Sequence, residues 1–363
     1  MATRVANTKH FKVSKLLSEK IRFMLPGELL PTVMELQKQY KASQATITQA
    51  IDRLRDQGLV ERPPGKKRLV IARVGSRPKL KITLIRPLWA SPDYDSITNR
   101  IYEMGHDEHY GFNVHIYNEV NQLNIEHALQ QSDAGLIIGN LNMDAKQVGA
   151  INSSRKPIVF LRDKPPGSNA DSIWVDDVAV GQVATNHLLE LGHKRVAVML
   201  SEPYNPSSSG RLHGWKKKLL ESGFEDVESL IIDCSVQPGK DAITGSYEKF
   251  CRRLDTTPVD FTALFCVGWT GALAALRALR ERGVKVPEDV SIVTYASESP
   301  LCDFTAPPLT TVQVDLNLYT REAIRLVREN LNQEGGKKTV KDINLDPHLV
   351  VRGSTAPALV PAR

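Results

Sequence analysis

The sequence predicts an α/β chain in which a small basic helical head, ending in a hairpin, precedes a larger body of parallel sheets. Three observations predict it. Basic charge is concentrated in the first fifth of the 363 residues. Three short amphipathic helical patterns there lead into two β-capable runs. Beyond residue 80, apolar strand-like runs alternate with helical ones.

Residues 1–79 hold 17 Lys/Arg against 6 Asp/Glu, whereas the remainder holds 30 against 35. A cationic module on a mildly acidic body suits a polyanionic partner, whose phosphates give affinity that falls steeply with salt. A hydrophobic fraction of 41% and a charged fraction of 24% exclude wholesale disorder. The length gives two or three domains at about 150 residues each. No apolar run of about 18 residues occurs, so no membrane span is expected. The opening MATRVANTKHFKVSK lacks the apolar stretch of a secretory signal, which points to the cytoplasm. Cys234, Cys251, Cys266 and Cys302 are far apart, with no CxxC and no His at ligand spacing. They read as reduced thiols, with no metal site expected.

In the head, residues 12–25 place Val13, Leu16, Leu17, Ile21 and Leu25 near helical spacing before Pro26-Gly27 stops the helix. Thr32 followed by Glu35 is a capping box opening a second helix, about 32–40, that buries Val33, Leu36 and Tyr40. After the turn Lys41-Ala42, Ser43 starts a third helix. Its apolar face is Ala45, Ile47, Ala50, Ile51 and Leu54, and Gly58 ends it. LVERPPGKKRLVIARV then reads as a hairpin with Lys66, Lys67 and Arg68 at its tip. Helix, helix, helix and hairpin make a winged helix-turn-helix, whose second motif helix enters a major groove. Residues 1–71 are therefore read as a domain binding double-stranded DNA, and 72–80 as a short linker. Gln44, Thr46, Thr48 and Gln49 are the candidates for base edges, since Gln bonds adenine bidentately and a Thr methyl meets thymine. Ser43 caps the helix beside a phosphate, and Lys66, Lys67 and Arg68 grip the backbone or minor groove.

The stretch from Pro26 to Val70 resembles the DNA-binding domain of the GntR family. Leu30, Pro31, Glu35, Leu36, Ser43, Thr46, Ala50, Leu54, Gly58, Leu59 and Val60 match the family pattern. Met34, Gln44 and Thr48 stand where arginines are usual, and Lys67 replaces the second glycine of the wing. These departures imply a different operator sequence rather than a loss of DNA binding.

In the body, strands are expected at 81–86, 112–117, 134–139, 157–161, 172–175, 195–200, 229–233, 263–267 and 290–294. Helices are expected at 178–191, 209–222 and 270–282, among others. Continuous apolar strands alternating with helices predict two Rossmann-like subdomains with a cleft between them. The expected core spans 81–355. Subdomain 1 covers about 81–162 and 304–334, and subdomain 2 about 163–303 and 335–355. GxGxxG, GxxxxGK[ST], HExxH and GxSxG are all missing, so no catalytic residues, no cofactor and no enzyme activity are expected. His193 reads as a turn residue, and Asp176-Asp177 as helix-capping carboxylates.

Residues 80–353 resemble the effector-binding core of the LacI/GalR family, of the periplasmic binding protein-like type I fold. The resemblance rests on VDDVAVGQVATNHLLELGHKRVAVML, RLHGW, ALRERGVKVPEDVSIVTYA and PPLTTV. It implies a dimeric transcriptional regulator, in most such cases a repressor, whose operator affinity responds to a sugar or sugar-like effector between the subdomains. The combination with a GntR-type head is the arabinose-repressor arrangement. The resemblance also makes Arg211 a ligand contact. Gly268-Trp269 replaces the family's Asn-Asp, and Thr294-Tyr295-Ala296 replaces G-[FY]-D. An indole, with one N–H donor, thus stands in for an acceptor carboxylate, and anionic or aromatic effectors join sugars as candidates. Trp89, Asp93, Asp144 and Arg162 follow strand ends, where ligands sit in open parallel sheets; with Arg211, Trp269 and Tyr295 they complete the candidate effector set. The alternative is a ligand-independent regulator whose core only dimerises.

Overall fold

A computed structural model describes residues 9–21, 24, 27–56, 58–63, 65, 68–72, 80–88, 91–108, 110–139, 143–162, 164–202, 206–237, 240–298, 300–332 and 339–359. The chain divides into two compact units, residues 1–81 with 104–111, and 82–103 with 112–363. Most of the linker expected at 72–80 lies outside the described residues.

In the first unit, α1 (Lys9–Ile21), α2 (Val33–Tyr40) and α3 (Gln44–Asp56) precede the antiparallel pair β1 (Val60–Glu61) and β2 (Val70–Ile71). A bridge from Leu29 to Val70 extends that pair. Thr32 Oγ1 accepts from the Glu35 amide while Glu35 Oε2 accepts from the Thr32 amide, so the capping box forms as expected. The turn into α3 passes through Lys41 in the left-handed region (φ 46). Val13, Leu17, Ile21, Leu30, Leu36, Ile47, Ala50, Ile51 and Leu54 form one core with Val60 and Ile71. Two expected core positions differ. Leu16 is 52% exposed, and Ala45 is exposed. Both fall off the buried stripe because Leu17 and Ile47 occupy the core-facing turn beside them.

The second unit holds two six-stranded sheets. The first has the order β13-β7-β6-β5-β3-β4. Its members are β3 (Leu80–Pro87), β4 (Tyr110–Tyr117), β5 (Ala134–Ile138), β6 (Ile158–Leu161), β7 (Asp171–Val175) and β13 (Asp342–Leu345). The helices α4 (Pro92–Glu108), α5 (Ile125–Ala128) and α6 (Ala145–Asn152) connect its early strands. The second sheet has the order β14-β12-β11-β10-β8-β9. It comprises β8 (Val196–Leu200), β9 (Ile231–Asp233), β10 (Ala263–Cys266), β11 (Ser291–Tyr295), β12 (Thr310–Gln313) and β14 (His348–Val350). Around it run α7 (Asp177–Glu190), α8 (Pro206–Glu221), α9 (Ala242–Thr256) and α10 (Trp269–Glu281), while α11 (Leu316–Asn332) packs on the first sheet against β5, β6 and β7.

Strand pairing moves the expected subdomain borders. β7 pairs with β6 and β13 pairs with β7, so residues 171–175 and 342–345 belong to the first lobe. β12 pairs with β11, which puts 310–313 in the second. The chain therefore crosses between lobes three times, at Asp176, at Val314–Asp315 and at Asp346–Pro347. Three short parallel connections are a hinge: they let lobes rotate while resisting shear.

Candidate functional site

The outer face of α3 carries Gln44, Thr48 and Gln49, all exposed, with Thr46 half-buried. Gln44, Ala45, Thr48 and Gln49 line one open surface depression. Ser43 Oγ accepts from the Thr46 amide (3.3 Å) and bonds the Thr46 hydroxyl (2.9 Å), so the cap fixes both hydroxyls beside the helix N-terminus. Arg53 lies over the Phe11 ring (4.5 Å), joining α3 to α1. Exposed Arg68 donates through Nη2 to the Leu30 carbonyl (3.2 Å), which anchors the base of the hairpin. Lys66 and Lys67 lie outside the described residues. At 77% exposure, Met34 on α2 presents an apolar side chain where the family pattern has a cation.

A second cluster forms where strands of both lobes end. Arg162 follows β6 with φ 82, an unusual conformation for a residue with a Cβ. Its Nη2 donates to the Tyr295 hydroxyl across the lobes (2.8 Å) and lies 3.7 Å from Asp93 Oδ2. Asp93, at the start of α4 in the first lobe, accepts from the Ser297 amide in the second (2.7 Å). A strand end and a helix start of one lobe thus meet the end of β11 and the residues after it through polar contacts. Burial opposes the charge on Arg162, but Tyr295, Asp93 and Asp177 outweigh it and raise its pKa. Burial likewise raises the Tyr295 pKa, against the pull of Arg162, so the phenol stays protonated and able to donate.

Tyr295 is held on its other side by Arg211, whose guanidinium carbon is 3.7 Å from the ring centroid. Arg211 is 2% exposed. Its Nε donates to Asp177 Oδ1 (2.8 Å) and its Nη1 to the Val267 carbonyl (2.7 Å). Nη2 has no partner among the described residues, and neither do Trp269 Nε1 or Ser207 Oγ, although all three atoms are buried. Groups buried this way cost about 1–3 kcal/mol each unless something bonds them.

Glycines set this geometry. A Cβ on Gly181 would stand 2.1 Å from the Arg211 carbonyl oxygen, and one on Gly214 would stand 2.0 Å from the Val178 carbonyl oxygen. Only glycine lets α7 and α8 approach closely enough to bring Arg211 onto Asp177. In RLHGW, then, Arg211 serves the crevice and Gly214 the helix contact, while Trp215 fills the core and donates to the Val196 carbonyl (3.1 Å).

Among the expected effector contacts, Asp93, Arg162, Arg211 and Tyr295 come together, with Trp269 two residues beyond the carbonyl that Arg211 bonds. Trp89 lies outside the described residues. Asp144 does not join them. It is exposed and caps α6, accepting from the Gln147 amide (2.8 Å) while Gln147 returns the bond. The Asp176-Asp177 pair splits its duties: Asp176 caps α7 as expected, but Asp177 pairs with Arg211. His193 lies in the turn after α7, its amide donating to the Leu188 carbonyl (3.2 Å), and its side chain is buried. It bonds Thr262, Ser291 and the Ala356 carbonyl, and burial lowers its pKa. Sequence reasoning missed Asp177, Ser207 and Ser297 as crevice residues. The spacing of Ser207 and Arg211, one helical turn apart, was the only signal for any of them.

A helix-turn-helix head with a polar outer face and a hinged two-lobed body define a DNA-binding regulator with a receptor core. Comparisons with known proteins agree. The bacterial regulatory proteins of the gntR family match residues 12–70, and the periplasmic binding protein-like domain matches residues 185–355. The chain is 30% identical to the HTH-type transcriptional regulator DegA of Bacillus subtilis (strain 168) over 286 residues, covering 76% of this chain and 81% of that one. It is 32% identical to the HTH-type transcriptional repressor PurR of Haemophilus influenzae over 199 residues, 54% of this chain and 57% of the repressor's length. The solved CelR–cellobiose complex superposes with a TM-score of 0.63 at 25% identity, covering 86% of this chain and 92% of that one. The chain belongs to the family of HTH-type transcriptional regulators that includes DegA, and its head matches the gntR family. It is a DNA-binding transcriptional regulator. Among the described residues, no helix is long and apolar enough to cross a membrane.

Proposed function

We propose that the chain is a cytoplasmic repressor, acting as a homodimer on a palindromic operator, whose grip is set by a sugar or sugar derivative in the interlobe crevice. The observation that carries this reading is the cluster of Arg162, Tyr295, Asp93, Ser297 and Arg211, in which polar atoms of both lobes meet and buried Arg211 Nη2 has no partner among the described residues. A ligand bonding there has different affinity for open and closed lobes, which is what a population shift requires. The typical coupling is about 1–3 kcal/mol. The structural relative complexed with cellobiose and the relative named a repressor support the ligand class and the sign. Symmetric pairing of two heads doubles the phosphate contacts and sets the half-site spacing.

Gln44, Thr46, Thr48 and Gln49 read base edges, Ser43 caps the helix beside a phosphate, and Lys66, Lys67 and Arg68 hold the backbone or minor groove. The test begins with selection of duplexes from a random library by the full chain. Affinity for the selected duplex falls steeply between about 50 and about 200 mM salt. Gln44→Ala relaxes the preference at one position of the half-site by about 1–3 kcal/mol, read from single-base variants of that duplex. An unchanged base preference would place Gln44 away from the groove.

One observation favours a second reading. The lobes are clasped by their own side chains at Arg162–Tyr295 and Asp93–Ser297. A core held shut without ligand only dimerises, and no compound in a broad sugar panel then alters duplex binding.

A further inference from the structure

The crevice carries a chemical bias that narrows its ligand. Three buried polar groups there lack partners among the described residues: Arg211 Nη2, Trp269 Nε1 and Ser207 Oγ. They sit on neighbouring segments. Arg211 Nη1 is fixed to the Val267 carbonyl, two residues before Trp269, and Ser207 lies one turn before Arg211 on α8. Two of the three atoms can only donate. Of the nearby carboxylates, Asp177 already accepts from Arg211 Nε and Asp93 from the Ser297 amide, each through one oxygen. Each hydroxyl of a neutral sugar brings a donor along with its acceptors, and of these three groups only Ser207 Oγ could receive that donor. A carboxylate brings acceptors alone and forms charge-assisted bonds with a guanidinium. The half-buried Glu202 carboxylate reaches Gly268, where a Cβ would meet its Oε1 at 2.6 Å.

We propose that the crevice takes a hydroxy acid of the sugar-acid class, with its carboxylate on Arg211, Trp269 and Ser207 and a hydroxyl turned toward Glu202. This rests on the reading of the crevice as the effector site and fixes the chemistry of its ligand. The Tyr295 ring, stacked on one face of Arg211, leaves the edge of the guanidinium for the acid.

The test is thermal melting of the full chain with matched pairs at equal ionic strength: D-gluconate with D-glucitol, D-galacturonate with D-galactose, and D-glucuronate with D-glucose. An acid is expected to raise the melting temperature while its neutral partner does not. Trp269→Phe, which keeps a ring and removes the N–H, weakens that acid about tenfold, and Ser207→Ala weakens it less. A neutral sugar that stabilises as much as its acid, with Trp269→Phe affecting neither, overturns the acid assignment and leaves the effector site standing. A panel in which nothing stabilises the chain or alters binding of the selected duplex overturns both.

Discussion

At the residue scale, Arg211 shows how burial turns a surface-type side chain into a site. Two of its nitrogens are bonded within the protein and its charge is matched by Asp177, so the pair stands in for solvent. Removing one partner leaves a buried charge uncompensated, which costs about 3–5 kcal/mol. Asp177→Asn is therefore expected to lower stability by that order, seen as a lower urea midpoint at unchanged slope. A change below about 1 kcal/mol would show that Arg211 finds another acceptor. His193 gives a prediction in pH. Its folded pKa is lowered, chiefly by burial, so the unfolded chain binds the proton more readily. Stability from this residue is complete above the ordinary histidine value near about 6.5 and declines as pH falls below it. Urea midpoints at pH 8, 7, 6 and 5.5 read the slope, and His193→Gln should flatten it. His187, also lowered by burial, adds in the same direction. Arg211 was legible in sequence through RLHGW, but its partner Asp177, 34 positions away, was not. Adjacent carboxylates before a helix both look like caps, and only the approach of α7 to α8 separates their roles.

At the element scale, that approach depends on glycine. Gly214→Ala sets a Cβ against the Val178 carbonyl, a backbone atom that cannot rotate away. The helices must separate, and the expected loss exceeds the roughly 1–3 kcal/mol of ordinary overpacking. A thermal melt close to that of the unaltered chain would refute the contact. Most elements were readable because their signals are local. The Thr32–Glu35 box, the stop at Gly58 and the apolar runs of β3, β5, β8 and β10 each depend on neighbours within a few residues. β12, β13 and β14 escaped notice because TTVQ, DINL and HLV carry no continuous apolar run, and β13 and β14 lie at sheet edges. The subdomain borders depend on which sheet each of them joins. That choice is made by long-range pairing, which periodicity does not record.

At the scale of the whole molecule, the account links a head that reads duplex DNA to a body whose lobes meet around Arg162 and Tyr295. The proposed coupling needs no ligand to be tested, because under it a change in the balance of lobe closure changes duplex affinity. Tyr295→Phe removes only the hydroxyl that Arg162 bonds across the lobes and keeps the ring on Arg211. The decisive measurement is the dissociation constant of the full chain for its selected duplex, by fluorescence anisotropy, before and after that substitution. The account predicts a change of about fivefold or more, matching a coupling of about 1 kcal/mol. Equal constants, from proteins that melt as folded species, would contradict it.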